Sequence, residues 1–568
     1  MIYVLTGYPS IDRVHLEGIP EEKLHPQIVA ASLFGAFESI NAATLDNGEI
    51  LIERAGKSLT KREFEREVLV VSAGLLDLGF TAKETVVMYT PNLIESMVLT
   101  FAANAIGLKL AYANNYRPLD HAIETINAHG AEILLVANLP EDKLGFIFDR
   151  CESLKLVVDL ASEVKSADET RRLTYDGLKS KAVSLMTPEG QERVRATIMV
   201  QMSSKEEVIF LQTSGSTANT PKILPATNRN IIAALTYMTN GTNQTTNDQI
   251  LKKGLCVFPF NHPYGWMMIV ANLIGGNHVE LVTAEMYDNP GEWYKTGANF
   301  IYGTPQVLRE LIATTPDSAD LSPLKAFFSA GLKTDEELFE LSEKFFSAHN
   351  SAAEVRNNYG IGETLCIGTT SDGVPHRPGA CGKVYPGLEL VVVDENMNEV
   401  KYDEPGEILV WSESMVTHYF GNEEETKNSF IPFRGKTFFR SGDLGSLSRD
   451  NYLTLIGRKK RFYQPKGAND KVNCETIETA LKKIELIREN AVTICRLADG
   501  SEAGAAFVVL KDGVAPNDKT REEIFAHLKN LLREFELPAK LIFVAEIPYL
   551  PSGKIDYPNL TQIANLMV

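Results

Sequence analysis

An apolar run that breaks into a loop of small hydroxyl residues limits what this chain can become. Val208-Ile209-Phe210-Leu211 reads as a buried strand, and it leads into Gln212-Thr-Ser-Gly-Ser-Thr-Ala-Asn-Thr-Pro-Lys222. The side chains of Thr213, Ser214, Gly215, Ser216 and Thr217 are small enough for the backbone to curl tightly. Its N–H groups can then point into one space. Such donors, with hydroxyls and the Lys222 ammonium, are what a polyphosphate needs. Taken alone, the segment is equally an ordinary Ser/Thr/Gly loop. Its spacing is not the G-x-x-x-x-G-K-[ST] of a Walker A loop. A helix from about Asn228 to Met238 follows, so the loop sits on a strand–loop–helix junction.

The flanking pattern extends that junction into an α/β fold. Thr60 and Glu63 form a capping box ahead of Phe64, Val68, Val71 and Leu75, which share one helix face, and Gly79 stops the helix. Met1 to Leu5 is expected as an edge strand, Ile28 to Ile40 as a helix, and Leu51-Ile52 as a partner of Lys57-Ser58-Leu59. Strands at Val86–Tyr89, Leu108–Ala113, Ile133–Val136 and Leu154–Leu160 alternate with helices opened by Pro91 and Pro118. Residues 162–204 carry no clear pattern. Beyond the loop, strands at Gly254–Phe258, His278–Val282, Phe300–Gly303 and Ala326–Ser329 alternate with helices at Trp266–Leu273, after Pro305, and at Glu336–His349. Helices between short apolar strands argue for parallel sheets.

From Pro378 the texture changes to short strands and turns, giving a β-rich subdomain over about 378–457. The basic segment Gly457-Arg-Lys-Lys-Arg461 is the best boundary. Helices at Asn473–Leu481 and Arg521–Leu532, with strands at Ala503–Leu510 and Leu541–Val544, then make a small α+β domain. With 568 residues the chain exceeds a single core. The expected division is a large N-terminal domain, 1–457, and a small mobile C-terminal domain, 458–568. A net charge of −18 gives no nucleic-acid footprint. The six cysteines are far apart with no C-x-x-C pair, so neither a zinc site nor a disulfide framework is suggested. No basic leader precedes a long apolar run. The apolar stretches are interrupted by Glu95 and Lys109, or by Asn261, Pro263 and Asn272, which points to a cytoplasmic protein without a transmembrane segment. The sequence carries no signal for oligomeric state.

Five separated patterns, in order, then agree with one family. Thr213 to Lys222 gives TSGSTANTPK, Tyr359 to Glu363 gives YGIGE, Ser441-Gly-Asp443 follows, then Gly457-Arg-Lys-Lys460, then Pro551-Ser-Gly-Lys554. Pro378-Gly-Ala-Cys-Gly382 and Tyr385-Pro-Gly387 match the usual approach to the β subdomain. Over residues 45–560 the sequence resembles the adenylate-forming superfamily of acyl- and aryl-CoA synthetases, stand-alone adenylation enzymes and firefly luciferase. It departs in three places. Ala218 replaces a glycine in a loop one residue longer, Gly362 stands where the family has Thr, and the 463–473 loop has two extra residues between Gly467 and Val472.

The resemblance implies ATP-dependent activation of a carboxylic acid to acyl-AMP, with release of pyrophosphate. It assigns Thr213, Ser214, Gly215, Ser216, Thr217 and Lys222 to the phosphates, with Thr217 also catalytic. Glu363 is the Mg²⁺ ligand, since a hard cation among phosphates wants carboxylate oxygen. Thr364 is the next hydroxyl that could replace the one lost at Gly362. Tyr359 and Gly331 belong at the adenine, Asp443 at the ribose hydroxyls, and Arg458 reinforces the ribose or the phosphate. Lys554 is the catalytic cation on the small domain and Lys460 the hinge. His262 is an aromatic gate beside the carboxylate, and Trp266, Met267, Tyr302, Gly303 and Thr304 line the acyl site. Gly265 stands where amino-acid-activating domains carry an Asp. With the apolar lining, this favours an aryl or aliphatic acid. The leading acceptor is coenzyme A. The first alternative is the phosphopantetheine arm of a separate acyl or peptidyl carrier protein. A second alternative, motivated by Ala218 and Gly362, is a noncatalytic nucleotide-binding regulatory protein.

Overall fold

The computed structural model describes residues 32–82, 84–162, 170–200, 206–213, 221–241, 252–332, 334–371, 374–468, 470–549 and 555–567. The expected strand at Met1–Leu5, the loop residues Ser214, Gly215, Ser216 and Thr217, and Lys554 lie outside the described residues.

Two seven-stranded sheets carry the large domain, and both are parallel but for one edge strand each. The first runs Arg172–Thr174, Leu156–Asp159, Ile133–Val136, Thr85–Met88, Lys109–Tyr112, Glu207–Gln212, Ile223–Thr227, the last strand antiparallel. The second runs Glu354–Asn357, Ala326–Ser329, Phe300–Gly303, Lys253–Cys256, His278–Leu281, Ile50–Arg54, Lys57–Thr60. Its final pair is the foreseen hairpin, with Ile52 opposite Leu59. Strands such as Ile133–Val136 are buried on both faces, as a parallel sheet covered by helices requires. The helices Leu33–Asn41, Lys61–Asp77, Ile94–Ala105 and Pro263–Ile274 contribute to one apolar core that also takes side chains from both sheets. Helix Lys61–Asp77 begins at the predicted capping box, with Thr60 Oγ1 accepting the Glu63 N–H and Glu63 returning to the Thr60 backbone.

A third, antiparallel sheet joins Thr369–Thr370, Ala380–Val384, Tyr452–Arg458, Lys436–Leu447, Gly406–Ser412 and Leu388–Val393, with Phe430–Phe433 on Lys436–Leu447. The 3₁₀ turn Lys459–Arg461 follows it. A three-stranded sheet, Ile487–Arg496, Glu502–Leu510 and Lys540–Phe543, then packs with helices Cys474–Lys482, Asp518–Leu531 and Tyr557–Leu566. The architecture is a large α/β N-terminal domain with a β-rich part and a smaller α+β C-terminal domain. Strand Ile487–Arg496 and helix Tyr557–Leu566 are additional to the elements expected from the sequence. Arg488, Glu489 and Asn490 interrupt the alternation at the start of that strand. The patternless 162–204 stretch contains strand Arg172–Thr174 and helices Tyr175–Lys179 and Pro188–Val200. No helix among the described residues is long and apolar enough to cross a membrane.

A strap from the β-rich part covers the edge of the first sheet. Phe420 donates its N–H to the Ile223 carbonyl at 3.0 Å. Its ring stacks on His129 at 4.6 Å and meets Phe210 edge-on at 5.2 Å. Burial, with the Lys109 charge second, lowers the His129 imidazole from its ordinary 6.5 to about 4. Its Nε2 is buried and has no hydrogen-bond partner among the described residues. Between about pH 6.5 and 4 the unfolded chain therefore binds more protons at this ring than the folded one, and stability is lost as pH falls through that window. His129→Gln should recover about 1–3 kcal/mol of the stability lost between pH 7 and pH 4. Denaturant unfolding at the two pH values measures it, and equal pH losses in both proteins would refute the assignment.

Candidate functional site

Four parallel strands of the second sheet deliver their carboxyl ends to one place. Cys256, Gly303, Ser329 and Asn357 end their strands, and His262, Thr304, Gly331 and Tyr359 lie just beyond those ends. Open α/β sheets bind ligands at this edge. Thr213 arrives the same way from strand Glu207–Gln212 of the first sheet. A cavity of about 2500 Å³ occupies the junction, bounded by these ends, by the β-rich sheet, and by Glu478, Thr493 and Tyr557 of the small domain. Thr213, Lys222, His262, Tyr302, Thr304 and Gly331 line it, as do Tyr359, Glu363, Asp443, Arg458 and Lys460.

Arg458 and Tyr359 both reach the Asp443 carboxylate. Arg458 stands directly opposite it across the antiparallel pair, and the Arg458 Nε lies 2.6 Å from its Oδ1. The Tyr359 hydroxyl donates to its Oδ2 at 2.7 Å. A carboxylate offers about four lone-pair sites, the kind of acceptor that suits a vicinal diol. Burial, and then the Asp443 charge, push the Tyr359 phenol well above its ordinary range, keeping it a donor. Gly331 has φ +84, and this left-handed turn brings bare backbone to the cleft wall.

Glu363 sits in the 3₁₀ turn Gly362–Thr364, buried, with its Oε1 accepting the Tyr419 hydroxyl at 2.5 Å. The strap fixes the same turn from behind. Val416 donates its N–H to the Glu363 carbonyl at 2.9 Å, and Ser414 Oγ donates to the Thr364 carbonyl at 3.0 Å. Thr364 does not replace the hydroxyl missing at Gly362. It is fully buried, and its Oγ1 lies on the Ile361 and Ile367 carbonyls. Lys222 is tied into the loop base, where Thr213 N–H donates to its carbonyl at 2.9 Å. Its ammonium pairs with Glu425 and lies 4.6 Å from the centre of the Tyr419 ring.

On the acyl side, His262 is the N-cap of helix Pro263–Ile274, its Nδ1 accepting the Tyr264 N–H at 3.2 Å. In the neutral ring the proton is then on Nε2. Tyr302 stacks on Phe328 at 5.0 Å and 28°. Thr304 lines the cleft, but its hydroxyl caps helix Pro305–Thr314 by accepting the Val307 N–H at 3.2 Å. Trp266, Met267 and Gly303 are not among the residues lining the cleft. The helix presents Tyr264, Met268, Ala271 and Asn272 to the cleft, the spacing of one helical face. Trp266 and Met267 lie on the other face with no exposed surface, Trp266 edge-on to Tyr112 at 6.4 Å. Strand alternation likewise sends Tyr302 to the cleft and puts Gly303 against Phe327, where a Cβ would come within 2.6 Å.

Lys460 lies in the turn Lys459–Arg461 at the cleft rim. Its neighbours point opposite ways, Lys459 pairing with Glu407 at 2.8 Å and Arg461 with Glu478 of the small domain at 2.7 Å. Tyr549 and Ile555, which flank the segment holding Lys554, form an antiparallel bridge and both line the cleft. Sequence reasoning missed Tyr419, Phe328 and Glu425. Glu425 was hidden in the acidic first turn of helix Glu423–Ser429, where the helix dipole alone accounts for carboxylates.

Comparison with known proteins gives one answer across the chain. The family model of the AMP-binding enzymes matches residues 40–420, and that of the AMP-binding enzyme C-terminal domain matches residues 476–554. The chain is similar to 4-coumarate–CoA ligase 3 of Arabidopsis thaliana, 24% identical over 567 residues that cover 97% of this chain and 94% of that protein. The fold is similar to that of the anthranilate CoA ligase AuaEII, solved in complex with anthranoyl-AMP, with a TM-score of 0.78 at 20% identity over 94% of this chain and 98% of that one. It is also similar to the amide bond synthetase McbA from Marinactinospora thermotolerans, with a TM-score of 0.75 at 20% identity over 94% of this chain and 99% of that one. With both family models in sequence order and the motif residues gathered on one cleft, the chain belongs to the AMP-binding enzymes, as an adenylating enzyme of the adenylate-forming superfamily that makes an acyl-AMP.

Proposed function

We propose that the protein is a carboxylate–CoA ligase acting on an aryl acid. The observation that carries the nucleotide half is the buried Asp443 carboxylate at the cleft floor, braced by Tyr359 and Arg458. In this reading Asp443 accepts the ribose hydroxyls, Tyr359 and the Gly331 backbone border the adenine, and Lys222 with Thr213 to Thr217 takes the β- and γ-phosphates. An aryl acid suits the wall built by Tyr302, Phe328, Phe258 and Tyr264, in which Tyr264 meets Phe258 edge-on at 4.7 Å. His262 stands at the head of that wall, beside the place of the acid's carboxylate.

Glu363 fits a Mg²⁺ ion. It is a buried carboxylate on the cleft, and Mg²⁺ bound to a nucleotide keeps phosphate oxygens and waters and needs only one or two protein carboxylates. When bound, the ion would offset negative charge on the phosphates. The acid's oxygen attacks the α-phosphorus and pyrophosphate leaves. Lys554 of the small domain is assigned to the cation that draws the carboxylate and α-phosphate together. In the second step a thiol sulfur attacks the acyl carbon and AMP leaves. Gly457, with φ +150, and Lys460 are the proposed pivot on which the domain 458–568 changes its pose between steps. Relatives described as CoA ligases support coenzyme A as the acceptor.

Pyrophosphate–ATP exchange over a panel of aryl and aliphatic acids tests the first step whatever the acceptor. Exchange with aryl acids, followed by thioester formation on adding coenzyme A, is the expected result. ATP binding without exchange for any acid would instead favour the noncatalytic protein. Asp443→Asn keeps the shape and loses the charge. It should raise the KM for ATP about tenfold or more, since the hydrogen bonds lost are charge-assisted, and leave the KM for the acid nearly unchanged. An unaltered KM for ATP would remove Asp443 from the ribose. Lys554→Ala should slow adenylation about 100-fold or more while largely sparing thioester formation from supplied acyl-AMP. Equal losses in the two half-reactions would rule out the role given to Lys554.

A further inference from the structure

The phosphate-facing cation of this cleft already has an anion. Lys222 and Glu425 both line the cavity and form an ion pair, with side chains 21% and 34% exposed. Glu425 is held in place from several sides. Its N–H donates to Asn422 Oδ1 at 3.1 Å, and the Ser429 hydroxyl donates to its Oε1 at 3.4 Å. The turn that carries it is pinned by the Tyr419 N–H on Thr426 Oγ1 at 3.0 Å and by the Phe420 N–H on the Ile223 carbonyl at 3.0 Å. The Lys222 hydrogen bond holds the Glu425 carboxyl below its ordinary range, and the Lys460 charge adds to this. The group is therefore an anion at neutral pH, fixed beside an ammonium that a polyphosphate needs.

A fixed carboxylate next to a phosphate site has two effects. It balances the ammonium while the site is empty, and it repels a phosphate chain entering the same space. We infer that Glu425 is a counter-charge that the nucleotide must displace from Lys222, so that it weakens the binding of ATP and of product pyrophosphate alike. The β- and γ-phosphates take over Lys222 on entry, and Glu425 reclaims it as pyrophosphate leaves. Glu425 is thus a positioning residue acting through Lys222. The inference rests on the adenylation reading of this cleft and adds a control on how tightly the phosphates are held.

Calorimetric titration of the full-length wild type, Glu425→Gln and Glu425→Ala with Mg·ATP, pyrophosphate and AMP tests it. Both variants should bind ATP and pyrophosphate about three- to tenfold more tightly, the scale of one half-exposed charge pair. AMP has no β- or γ-phosphate, so its affinity should stay within about twofold. A merely structural role for Glu425 would shift all three ligands together. Unchanged or weaker ATP binding, an equal gain for AMP, or the full gain persisting in a Lys222→Ala background would overturn the inference. Wild-type protein that binds no ATP would defeat the adenylation reading itself, and is distinguished by that first titration.

Discussion

A carboxylate buried where two sheets meet has to be offset by donors from both, and Asp443 sets that demand here. Its own strand is antiparallel to the one ending in Arg458, so the guanidinium is supplied by cross-strand register. The Tyr359 hydroxyl comes from beyond a parallel strand of another sheet. Removing either partner would leave a buried charge short of a donor, which costs far more than the pair contributes when whole. The β-rich sheet and the second α/β sheet are thereby locked to each other at the floor of the cleft. The geometry of the nucleotide site depends on that lock.

The strap from Ser414 to Glu425 extends the same logic to the Lys222 side of the cleft. It reaches the Glu363 turn through Ser414, Val416 and Tyr419, and the edge strand Ile223–Thr227 through Phe420. One short segment therefore sets the distance between Glu363 and Lys222. Two residues just past Glu363, Leu365 and Cys366, adopt left-handed backbone with φ +53 and +67. Such conformations are unfavourable for side chains other than glycine, and hydrogen bonds on both sides of the turn hold them.

Much of this was legible in the sequence because it was local. The capping box at Thr60 and Glu63, the strands Ile133–Val136, Phe300–Gly303 and Ala326–Ser329, and the hairpin after Ile50 are each written in a few neighbouring residues. The cleft members Lys222, Tyr359, Glu363 and Asp443 came from short motifs. What failed was orientation and long-range pairing. Trp266 and Met267 were placed at the acyl group because the apolar helix offers no sequence mark for which face meets the core. Tyr419 and Glu425 pair with Glu363 and Lys222 across more than fifty positions, and no local pattern encodes such a pair. The charges of Arg488 and Glu489 conceal the strand Ile487–Arg496 for a related reason, since they separate the buried Ile487 from the inner positions that resume at Asn490.

The way the first sheet ends also bears on the protein's behaviour in a crowded solution. An exposed edge strand is a template on which a second molecule can add its own backbone. The edge strand Ile223–Thr227 contains Pro225, which can donate no ladder hydrogen bond outward, and the Phe420 N–H already occupies the Ile223 carbonyl. Asn230 adds bonds to the Glu413 and Met415 carbonyls, fastening the covering segment along the same border. The segment that shapes the Lys222 side of the cleft therefore doubles as a guard against strand-to-strand aggregation, and damage to it would threaten colloidal stability as well as turnover.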